Sequence, residues 1–455
     1  MGRMSRFQGR PWALWAFICW SRRYQMLNVF PENEIGSYQE ALSISVSRHQ
    51  VGAPVIVRGL DCHLFDERGQ SFLDMTGGSG AVNLGHQHPD IVATLTSQAE
   101  KLIHTGWNID NPFRHEMIAR LAHFLPFPEA SIMGAVTGAE AVEVAVKIAR
   151  RKTRREPILY FSNSFHGKTQ GALSVTSNGK FRDLLAIGLR DNPCFSLFSP
   201  DGQSNADSQA WGLAFRQFLQ DAKNKNQLPA AAIIEPIQAA EGIHVIPSSM
   251  LGEMVSACAE FGVLSIFDEI YTGFGRTGRP FVASQQVCPD LIVLGKSLGN
   301  GMPISAVAGS PDIIDVLGFS QHSSTFTFMP LACAVANAVL EVQKRDNIAE
   351  RAARSGERFV ERLRVLASRD GRISGIRGAG LMLAFDVAIP GSDSAAMVPL
   401  AAEVGDGLLK NGVIVRTGGI DGATVKITPP LTFVESHMDE FFSALDDVLA
   451  SCPSR

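Results

Sequence analysis

The feature that most constrains the fold is a series of short apolar runs that alternate with longer stretches of helical periodicity. The runs span residues 132–136, 157–161, 231–234, 263–267 and 291–294. Runs of four or five apolar residues separated by helices are typical of buried strands joined by helical crossovers. The pattern therefore predicts an α/β fold built on a mostly parallel sheet.

Polar or small residues follow each of these runs. In chain order they are Thr137-Gly138-Ala139-Glu140, Phe165-His166-Gly167, Glu235-Pro236, Asp268-Glu269 and Gly295-Lys296. Open α/β sheets bind their ligands at the carboxyl ends of the strands. We therefore expect the functional site at this edge of the sheet.

Composition excludes several other classes of protein. The 41 Lys and Arg residues against 45 Asp and Glu give a net charge of −4, which does not favour nucleic acid or an anionic membrane as a partner. The seven cysteines are odd in number and form no Cys-x-x-Cys pair, so neither a disulfide framework nor a zinc site is predicted. His86, His88 and His166 lack the further ligands that a metal site needs. A reducing, cytoplasmic compartment is the expectation.

Residues 1–30 differ from the rest of the chain. No acidic residue precedes Glu32, and the apolar run 11–20 is about half of the ~20 residues that span a bilayer. We interpret this stretch as a disordered extension or an early start codon, with Met26 as the working start. Organelle targeting by residues 1–25 is the alternative.

The remaining chain divides into two predicted domains. Beyond residue 330 the periodicity becomes helical and then strand-like with frequent glycines, and residues 55–83 also form short strands with turns. We predict a large domain over 85–330 and a smaller α+β domain. The smaller domain combines residues 31–84 with 331–455.

Thr137 and Glu140 have the spacing of a capping box at the start of a helix. Gly138 would leave backbone N–H groups accessible at the positive end of that helix, which makes this turn a candidate phosphate site. An ordinary capped helix without a ligand is the alternative.

Lys296 and Asp268 each follow an apolar strand. A lysine buried there has its pKa lowered by desolvation and becomes available as a neutral amine for a Schiff base. A buried carboxylate needs a cationic partner, and a protonated pyridine nitrogen would serve. The alternatives are a surface lysine, and an aspartate that is solvated or paired with arginine. The Gly-x-Gly-x-x-Gly match over 273–278 runs into Pro280 rather than a helix, so it does not predict a dinucleotide site.

The ordered set of motifs over residues 30–450 resembles the class III aminotransferases, which are pyridoxal-phosphate (PLP) enzymes of fold type I. The matching motifs are Gly-His-x-His-Pro (85–89), Thr-Gly-Ala-Glu-Ala (137–141), Phe-His-Gly (165–167), Glu-Pro-Ile-Gln (235–238), Asp-Glu-Ile-Tyr-Thr-Gly-Phe-Gly-Arg-Thr-Gly (268–278), Gly-Lys-Ser-Leu-Gly-Asn-Gly (295–301) and Ser-Thr-Phe (324–326).

The resemblance implies a role for each matched residue. Lys296 would bind the cofactor covalently and, once released, act as the base. Asp268 would pair with the pyridine nitrogen and keep the ring an electron sink. The remaining cofactor-binding residues implied are Gly138 and Ala139 at the phosphate, Phe165 and Ile270 on the two ring faces, His166, Glu235, Tyr271, and Thr325 from a neighbouring subunit. A shared site of this kind implies a homodimer.

The substrate is less constrained. The tail over 417–432 is similar to that of diaminobutyrate:2-oxoglutarate aminotransferases, in which a lysine, here Lys426, stands where relatives bind a carboxylate with arginine. Lys426 as a solvated strand lysine is the alternative.

Relatives that switch substrates carry a glutamate where this chain has Ala240, and Glu241 follows one residue later. Phe328 and Met329 replace a Gly-Gly-Asn-Pro ending, and with Trp107 and Tyr271 they suggest a more apolar pocket, unless they serve core or dimer packing.

We therefore expect an aminotransferase that moves the terminal amine of a diamino acid such as 2,4-diaminobutyrate to 2-oxoglutarate. An ω-amine:pyruvate transaminase, with Arg416 binding the carboxylate, is the first alternative. A PLP-dependent isomerase, racemase or decarboxylase of the same fold is the second.

Overall fold

The computed structural model describes residues 54–182, 191–197, 207–389, 394–419 and 422–452. The interpretations of residues 1–30 and of Met26 as a start lie outside these described residues. Residues Ile56–Arg455 form one compact unit.

Seventeen strands are formed by the described residues. In chain order they are β1 Ile56–Leu60, β2 His63–Asp66, β3 Ser71–Asp74, β4 Ser131–Ala135, β5 Ile158–Phe161, β6 Cys194–Phe195, β7 Ala231–Ile234, β8 Ile237–Gln238, β9 His244–Val245, β10 Leu264–Asp268, β11 Leu291–Leu294, β12 Ser305–Gly309, β13 Ile373–Ala379, β14 Met382–Val387, β15 Val413–Ile414, β16 Arg416–Gly418 and β17 Thr424–Ile427.

The helices alternate with these strands through the middle of the chain. They are α1 Gly77–Gly80, α2 Pro89–Ala99, α3 Pro112–Ala122, α4 Gly138–Thr153, α5 Gln170–Leu173, α6 Gly179–Arg182, α7 Ser208–Asn224, α8 Ser248–Phe261, α9 Pro311–Ile314, α10 Pro330–Arg345, α11 Ile348–Ala367, α12 Ser394–Lys410 and α13 Glu435–Ser451. Within the described ranges, none of these helices has the length and apolar character needed to cross a membrane.

A seven-stranded sheet in the order β4-β12-β11-β10-β7-β5-β6 forms the centre of the fold. Its pairs are parallel except where β12 runs antiparallel to β11 and to β4. The predicted α/β class and mostly parallel sheet are confirmed, and each of the five predicted strands is present to within one residue. Strand β12 was not predicted, because its residues Ser-Ala-Val-Ala-Gly are too small to stand out as an apolar strand.

Both faces of this sheet are covered. Phe267, Ile292 and Leu294 pack in one apolar cluster, whereas Ile266 and Val293 on the same two strands pack in another. Successive side chains of a strand point to opposite faces, so a strand buried on both sides must be apolar throughout. This burial explains the uninterrupted apolar runs, and it leaves the carboxyl edge as the place for polar groups.

Two four-stranded sheets are built from the two ends of the described chain. One has the order β1-β2-β3-β15, in which Val413 pairs with Leu73 in parallel, and the other has the order β13-β14-β17-β16. Residues near 70 and near 413 therefore share a sheet, as the predicted small domain requires. The division into domains at 84 and 330 stays a prediction.

The close approach of helix α11 to the turn between β13 and β14 depends on Gly356. A Cβ placed on Gly356 would collide with the carbonyl oxygen of Gly380, which is backbone and cannot rotate away. Gly252 in helix α8 provides a contrast, since the nearest atom to a Cβ placed there is Val287 Cγ2 at 3.9 Å.

We predict opposite effects for alanine at these two helical positions. Gly356→Ala should lower the free energy of unfolding by about 1–3 kcal/mol, because the helix must shift to accommodate the methyl group. Gly252→Ala should raise it by about 0.5–1 kcal/mol through helix propensity. Thermal and urea unfolding of the two variants would check this packing, and a Gly356→Ala protein as stable as the parent would contradict it.

Candidate active site

A cavity of about 500 Å³ lies at the carboxyl edge of the central sheet. Eleven of the residues singled out from the sequence line it: Gly138, Ala139, Phe165, His166, Glu235, Asp268, Ile270, Tyr271, Lys296, Arg416 and Lys426. The central sheet contributes the ends of β4, β5, β7, β10 and β11, and Arg416 and Lys426 come from β16 and β17.

Asp268 ends strand β10 and is buried. Its Oδ2 lies 2.8 Å from Nδ1 of His166, and its Oδ1 accepts the N–H of Ile270 at 3.1 Å. The partner of this carboxylate in the protein is therefore a histidine, and the alternatives of a solvated or an arginine-paired aspartate are wrong. Because a carboxylate only accepts, His166 Nδ1 carries the proton of this bond.

His166 is itself held in a fixed position. Its backbone N–H donates to Thr176 Oγ1 at 3.0 Å, and its side chain is fully buried. Nε2 of the same ring is buried and has no hydrogen-bond partner among the residues that the structure describes. The imidazole therefore serves chiefly to orient Asp268 toward the cavity.

Lys296 lies at the start of a short 3₁₀ helix, Lys296–Leu298, immediately after β11. Burial lowers the pKa of its amine from 10.5 to about 7, although the negative charges of Asp268 and Glu235 act in the opposite direction. A lysine with this pKa is substantially neutral at pH 7, which is the state that attacks a carbonyl. The alternative of a surface lysine is wrong.

Helix α4 points its N-terminus at the cavity. Thr137 Oγ1 accepts the N–H of Glu140 at 3.2 Å, as predicted, but the Glu140 carboxylate accepts the N–H of Val136 at 2.8 Å and not that of Thr137. The predicted capping box is therefore only half formed. The N–H groups of the first helical turn have no acceptor within the helix, and Gly138 and Ala139 of that turn line the cavity.

Gly138 also makes room for Ile270. A Cβ placed on Gly138 would lie 2.8 Å from Ile270 Cδ1. Any larger residue at 138 would therefore displace Ile270 from the cavity wall. This close contact links the helix N-terminus to the segment that follows β10.

Glu235 follows β7 and is buried. Its two carboxylate oxygens accept the N–H groups of Phe165 at 2.8 Å and of Ala239 at 3.2 Å. Burial raises the pKa of this carboxyl from 4.5 to about 7, more than the nearby His166 lowers it. Glu235 thus fixes the backbone that carries Phe165 and His166.

Arg416 and Lys426 are direct cross-strand partners on β16 and β17. Lys426 Nζ donates to the carbonyl oxygen of Ala240 at 3.1 Å, and burial, followed by the charge of Arg416, lowers its pKa. The alternative of a solvated lysine is wrong. Within the described parts of the chain, Arg416 has neither a hydrogen bond nor a salt bridge through its guanidinium.

Glu241 does not pair with Arg416. Its carboxylate accepts a hydrogen bond from Asn178 Nδ2 at 2.5 Å, and its backbone carbonyl lies 3.0 Å from His244 Nε2. Ala240, which the sequence analysis identified at the switch position, lines the cavity without a charge. The displacement of Glu241 by one residue therefore turns its carboxylate toward another partner.

Four residues from the sequence analysis lie outside the cavity of this chain. Phe328 is buried in the apolar core, and Met329 packs against that core. This supports the core-packing alternative, and the expectation that these two residues make the pocket more apolar is wrong. Trp107 contacts Phe319, with ring centroids 5.7 Å apart, and Thr325 is exposed. One chain brings neither of the last two residues to Lys296.

The cavity also contains residues that sequence reasoning missed. They are Ser79, Lys168, Phe181, Ala239, Ile243 and Thr428. Lys168 Nζ lies 4.4 Å from the centroid of the Phe181 ring, and that ring lies 5.4 Å from the Phe165 ring in a T-shaped arrangement. Lys168 directly follows the Phe-His-Gly motif, so its position beside that motif was the sequence feature that could have indicated its place in the site.

These residues fit pyridoxal phosphate. An amine with a lowered pKa, a buried carboxylate whose second oxygen is held by histidine, and a helix N-terminus with free N–H groups all face one cavity. Phe165 and Ile270 supply apolar walls. The amine matches the aldehyde of this cofactor, and the carboxylate matches its pyridine nitrogen. The helix N-terminus matches its phosphate, and the apolar walls match its flat ring.

Comparisons with known proteins agree with this chemistry. The sequence profile described as aminotransferase class-III matches residues 44–449. The acetylornithine aminotransferase of Archaeoglobus fulgidus is 33% identical over 390 residues, covering 85% of this chain and 93% of that protein. The 5-aminovalerate aminotransferase of Pseudomonas aeruginosa is 32% identical over 412 residues, covering 89% and 94%.

Solved structures show the same fold. An amine transaminase from an uncultivated Pseudomonas species in its PLP-bound form has a TM-score of 0.81 at 28% identity, covering 90% of this chain and 98% of that chain. The ornithine aminotransferase of Toxoplasma gondii has a TM-score of 0.79 at 30% identity, covering 94% and 97%. The chain therefore belongs to the class III aminotransferases, a family of pyridoxal-phosphate-dependent enzymes of fold type I.

Proposed function

We propose that the enzyme transfers the terminal amino group of a short substrate that also carries a carboxylate, such as 2,4-diaminobutyrate, to 2-oxoglutarate, giving glutamate. One observation carries this proposal: Arg416 and Lys426 face each other across two strands and line the same cavity as Lys296. Like charges in directly opposite positions destabilise a sheet, so an anionic ligand between them is favoured.

The residues of this chain have distinct parts in the reaction. Pyridoxal phosphate, when bound, supplies an electron sink for the carbon that bears the amino group. Lys296 would bind the cofactor and, when free, would move a proton to and from that carbon through Nζ. Asp268 would hold the pyridine nitrogen, Gly138 and Ala139 would hold the phosphate through their N–H groups, and Phe165 would cover one face of the ring.

The names of the relatives support a substrate with an amine at one end and a carboxylate at the other. Acetylornithine, 5-aminovalerate and 4-aminobutyrate all have this form. Arg416 would bind a carboxylate in a bidentate manner, and Lys426 would bind one as a point charge. A second acid group, as in 2-oxoglutarate, would use the same pair or the nearby Lys168.

An ω-amine:pyruvate transaminase is the second candidate. It is favoured by the contact of Glu241 with Asn178, which leaves Arg416 without a carboxylate among the described residues. An arginine that is not paired with a glutamate would bind the carboxylate of a small 2-oxo acid directly. It would not need the glutamate switch by which relatives accept two unlike substrates. The structural likeness to an amine transaminase agrees with this alternative.

A homodimer is the proposed assembly, with Thr325 of each subunit reaching the phosphate in the other. Large apolar side chains near Thr325 in the sequence are exposed: Phe319 is 89% exposed and Phe326 is 56% exposed. Ile103 and Ile109 in the neighbourhood of Trp107 are also exposed. Exposed aromatic clusters of this kind mark interaction surfaces.

Replacing Lys296 should abolish catalysis. We expect Lys296→Ala to reduce turnover at least about 10³-fold and to remove the visible absorbance of the lysine-linked cofactor. Both effects follow because the amine that binds the cofactor and deprotonates the substrate is lost. Absorbance spectra and turnover would be recorded after reconstitution with pyridoxal phosphate. The matched control is Lys426→Ala, a cavity lysine whose loss should leave that absorbance in place. An unchanged spectrum in Lys296→Ala would overturn the assignment.

The carboxylate assignment predicts a selective loss. In half-reactions of the PLP form, Arg416→Ala and Lys426→Ala should lower kcat/KM about 10- to 100-fold for 2,4-diaminobutyrate, ornithine and 4-aminobutyrate. Simple amines without a carboxylate serve as the control and should react with nearly unchanged kcat/KM. Conversion of simple amines alone by the parent enzyme would reject the first candidate in favour of the second.

The dimer can be tested at its exposed aromatic surface. The parent enzyme should sediment with twice the mass of one chain, and Phe326→Asp should shift it toward the monomer, because the substitution buries a charge in the interface. Sedimentation velocity at micromolar concentration measures both species. A parent enzyme that sediments as a monomer would contradict the shared site.

A further inference from the structure

The ring of Tyr271 lies directly against the amine of Lys296. Lys296 Nζ is 3.4 Å from the centroid of that ring, well inside the ~6 Å range of a cation–π contact. Among the described residues, Nζ has no hydrogen bond or salt bridge. The aromatic face is therefore the direct contact that holds the end of this side chain.

The hydroxyl of Tyr271 fixes the orientation of the ring. It lies 3.1 Å from Thr428 Oγ1, and Thr428 Oγ1 in turn donates to the carbonyl oxygen of Thr76 at 3.2 Å. The single proton of the threonine hydroxyl is used in that second bond, so Tyr271 is the donor in the first. The hydroxyl therefore points away from Lys296, and the ring face is what the amine meets.

Gly80 holds the same ring from another side. A Cβ on Gly80 would collide with Tyr271 Cε1, and Gly80 has φ +74°, in the left-handed region that favours glycine. The carbonyl oxygen of Gly80 accepts a hydrogen bond from Ser297 Oγ at 2.9 Å. Since Ser297 is the neighbour of Lys296, the lysine and the tyrosine ring are positioned by one shared segment.

The charged groups around Lys296 do not favour one protonation state decisively. Asp268 at the end of β10 and Glu235 after β7 favour the ammonium form, whereas burial and the cations Arg276 and Arg416 oppose it. The pKa of about 7 is the balance of these effects. A ring face that attracts the ammonium can therefore shift this balance measurably.

We propose that Tyr271 is a positioning residue for Lys296: its ring face holds the free ε-amino group in the cavity and stabilises its protonated form. In each half of the transfer reaction the lysine is released from the cofactor and must stay close enough to return a proton. The ring face keeps the ε-amino group of Lys296 in the cavity without a direct carboxylate contact, which would hold the amine in its protonated form. This inference rests on the proposed role of Lys296.

The test measures the titration of Lys296 in full-length enzyme that carries the cofactor in its pyridoxamine form, in which the lysine is free. Acetic anhydride labels neutral amines, so the extent of Lys296 labelling against pH, quantified by peptide mass spectrometry, gives its pKa. We expect a value near 7 for the parent and for Tyr271→Phe, which keeps the ring. For Tyr271→Leu we expect a fall of about one pKa unit, because the ammonium loses the ring.

A graded series of substitutions at position 271 tests the inference even if the Tyr271→Leu variant fails to fold. Phenylalanine, 4-fluorophenylalanine and 3,5-difluorophenylalanine placed at position 271 keep nearly the same shape, and the attraction of the ring for a cation decreases in that order. The pKa of Lys296 should fall stepwise along the series. A constant pKa, or a Tyr271→Leu protein that folds with the parent value, would overturn the inference.

Failure of this inference can be told apart from failure of the proposed function. Loss of the visible absorbance in Lys296→Ala supports the lysine assignment independently of position 271. A flat fluorination series together with that loss would reject the role of Tyr271 alone. Retention of the absorbance in Lys296→Ala would reject the role of Lys296, and the inference with it.

Discussion

A carboxylate buried at the end of a central strand, Asp268, is the constraint on which the rest of the site depends. Burying a charge costs several kcal/mol unless it is paired and hydrogen-bonded. His166 and the N–H of Ile270 satisfy the two oxygens, so the loop after β5 and the segment after β10 are fixed relative to each other. Glu235 fixes the same loop through Phe165. The cavity has a defined shape because this carboxylate must be satisfied.

Among the described residues, several cations in or near the cavity have no carboxylate partner. Within the described ranges, the fully buried Arg276 donates hydrogen bonds to neutral oxygens alone. They are the carbonyl oxygen of Leu381 at 2.9 Å, that of Pro429 at 2.5 Å and Asn83 Oδ1 at 2.5 Å. It thereby holds three distant segments together and places a cationic group near the site. Arg416 and Lys426 add to that charge at the cavity wall. An anionic cofactor and substrates with carboxylates are what such a potential favours.

The sequence allowed the strands and the two central residues to be predicted because both follow from local patterns. Lys296 and Asp268 each come directly after an apolar run, and parallel strands bring such positions to one edge. The pairing of His166 with Asp268 joins residues 102 apart, and nothing local in the sequence indicates it. Strand β12 was missed because its small residues gain their strand conformation from the neighbours β4 and β11. Trp107 and Thr325 lie outside the cavity that one chain forms.

The most direct test of the account is the protonation state of the cofactor's ring nitrogen. Enzyme reconstituted with pyridoxal phosphate labelled with ¹⁵N in the ring would be examined by NMR over the neutral pH range. The account predicts a protonated nitrogen in the parent enzyme, because the buried Asp268 carboxylate stabilises the pyridinium, and a neutral nitrogen in Asp268→Asn. A neutral ring nitrogen in the parent enzyme would contradict the role of Asp268 and with it the proposed organisation of the site.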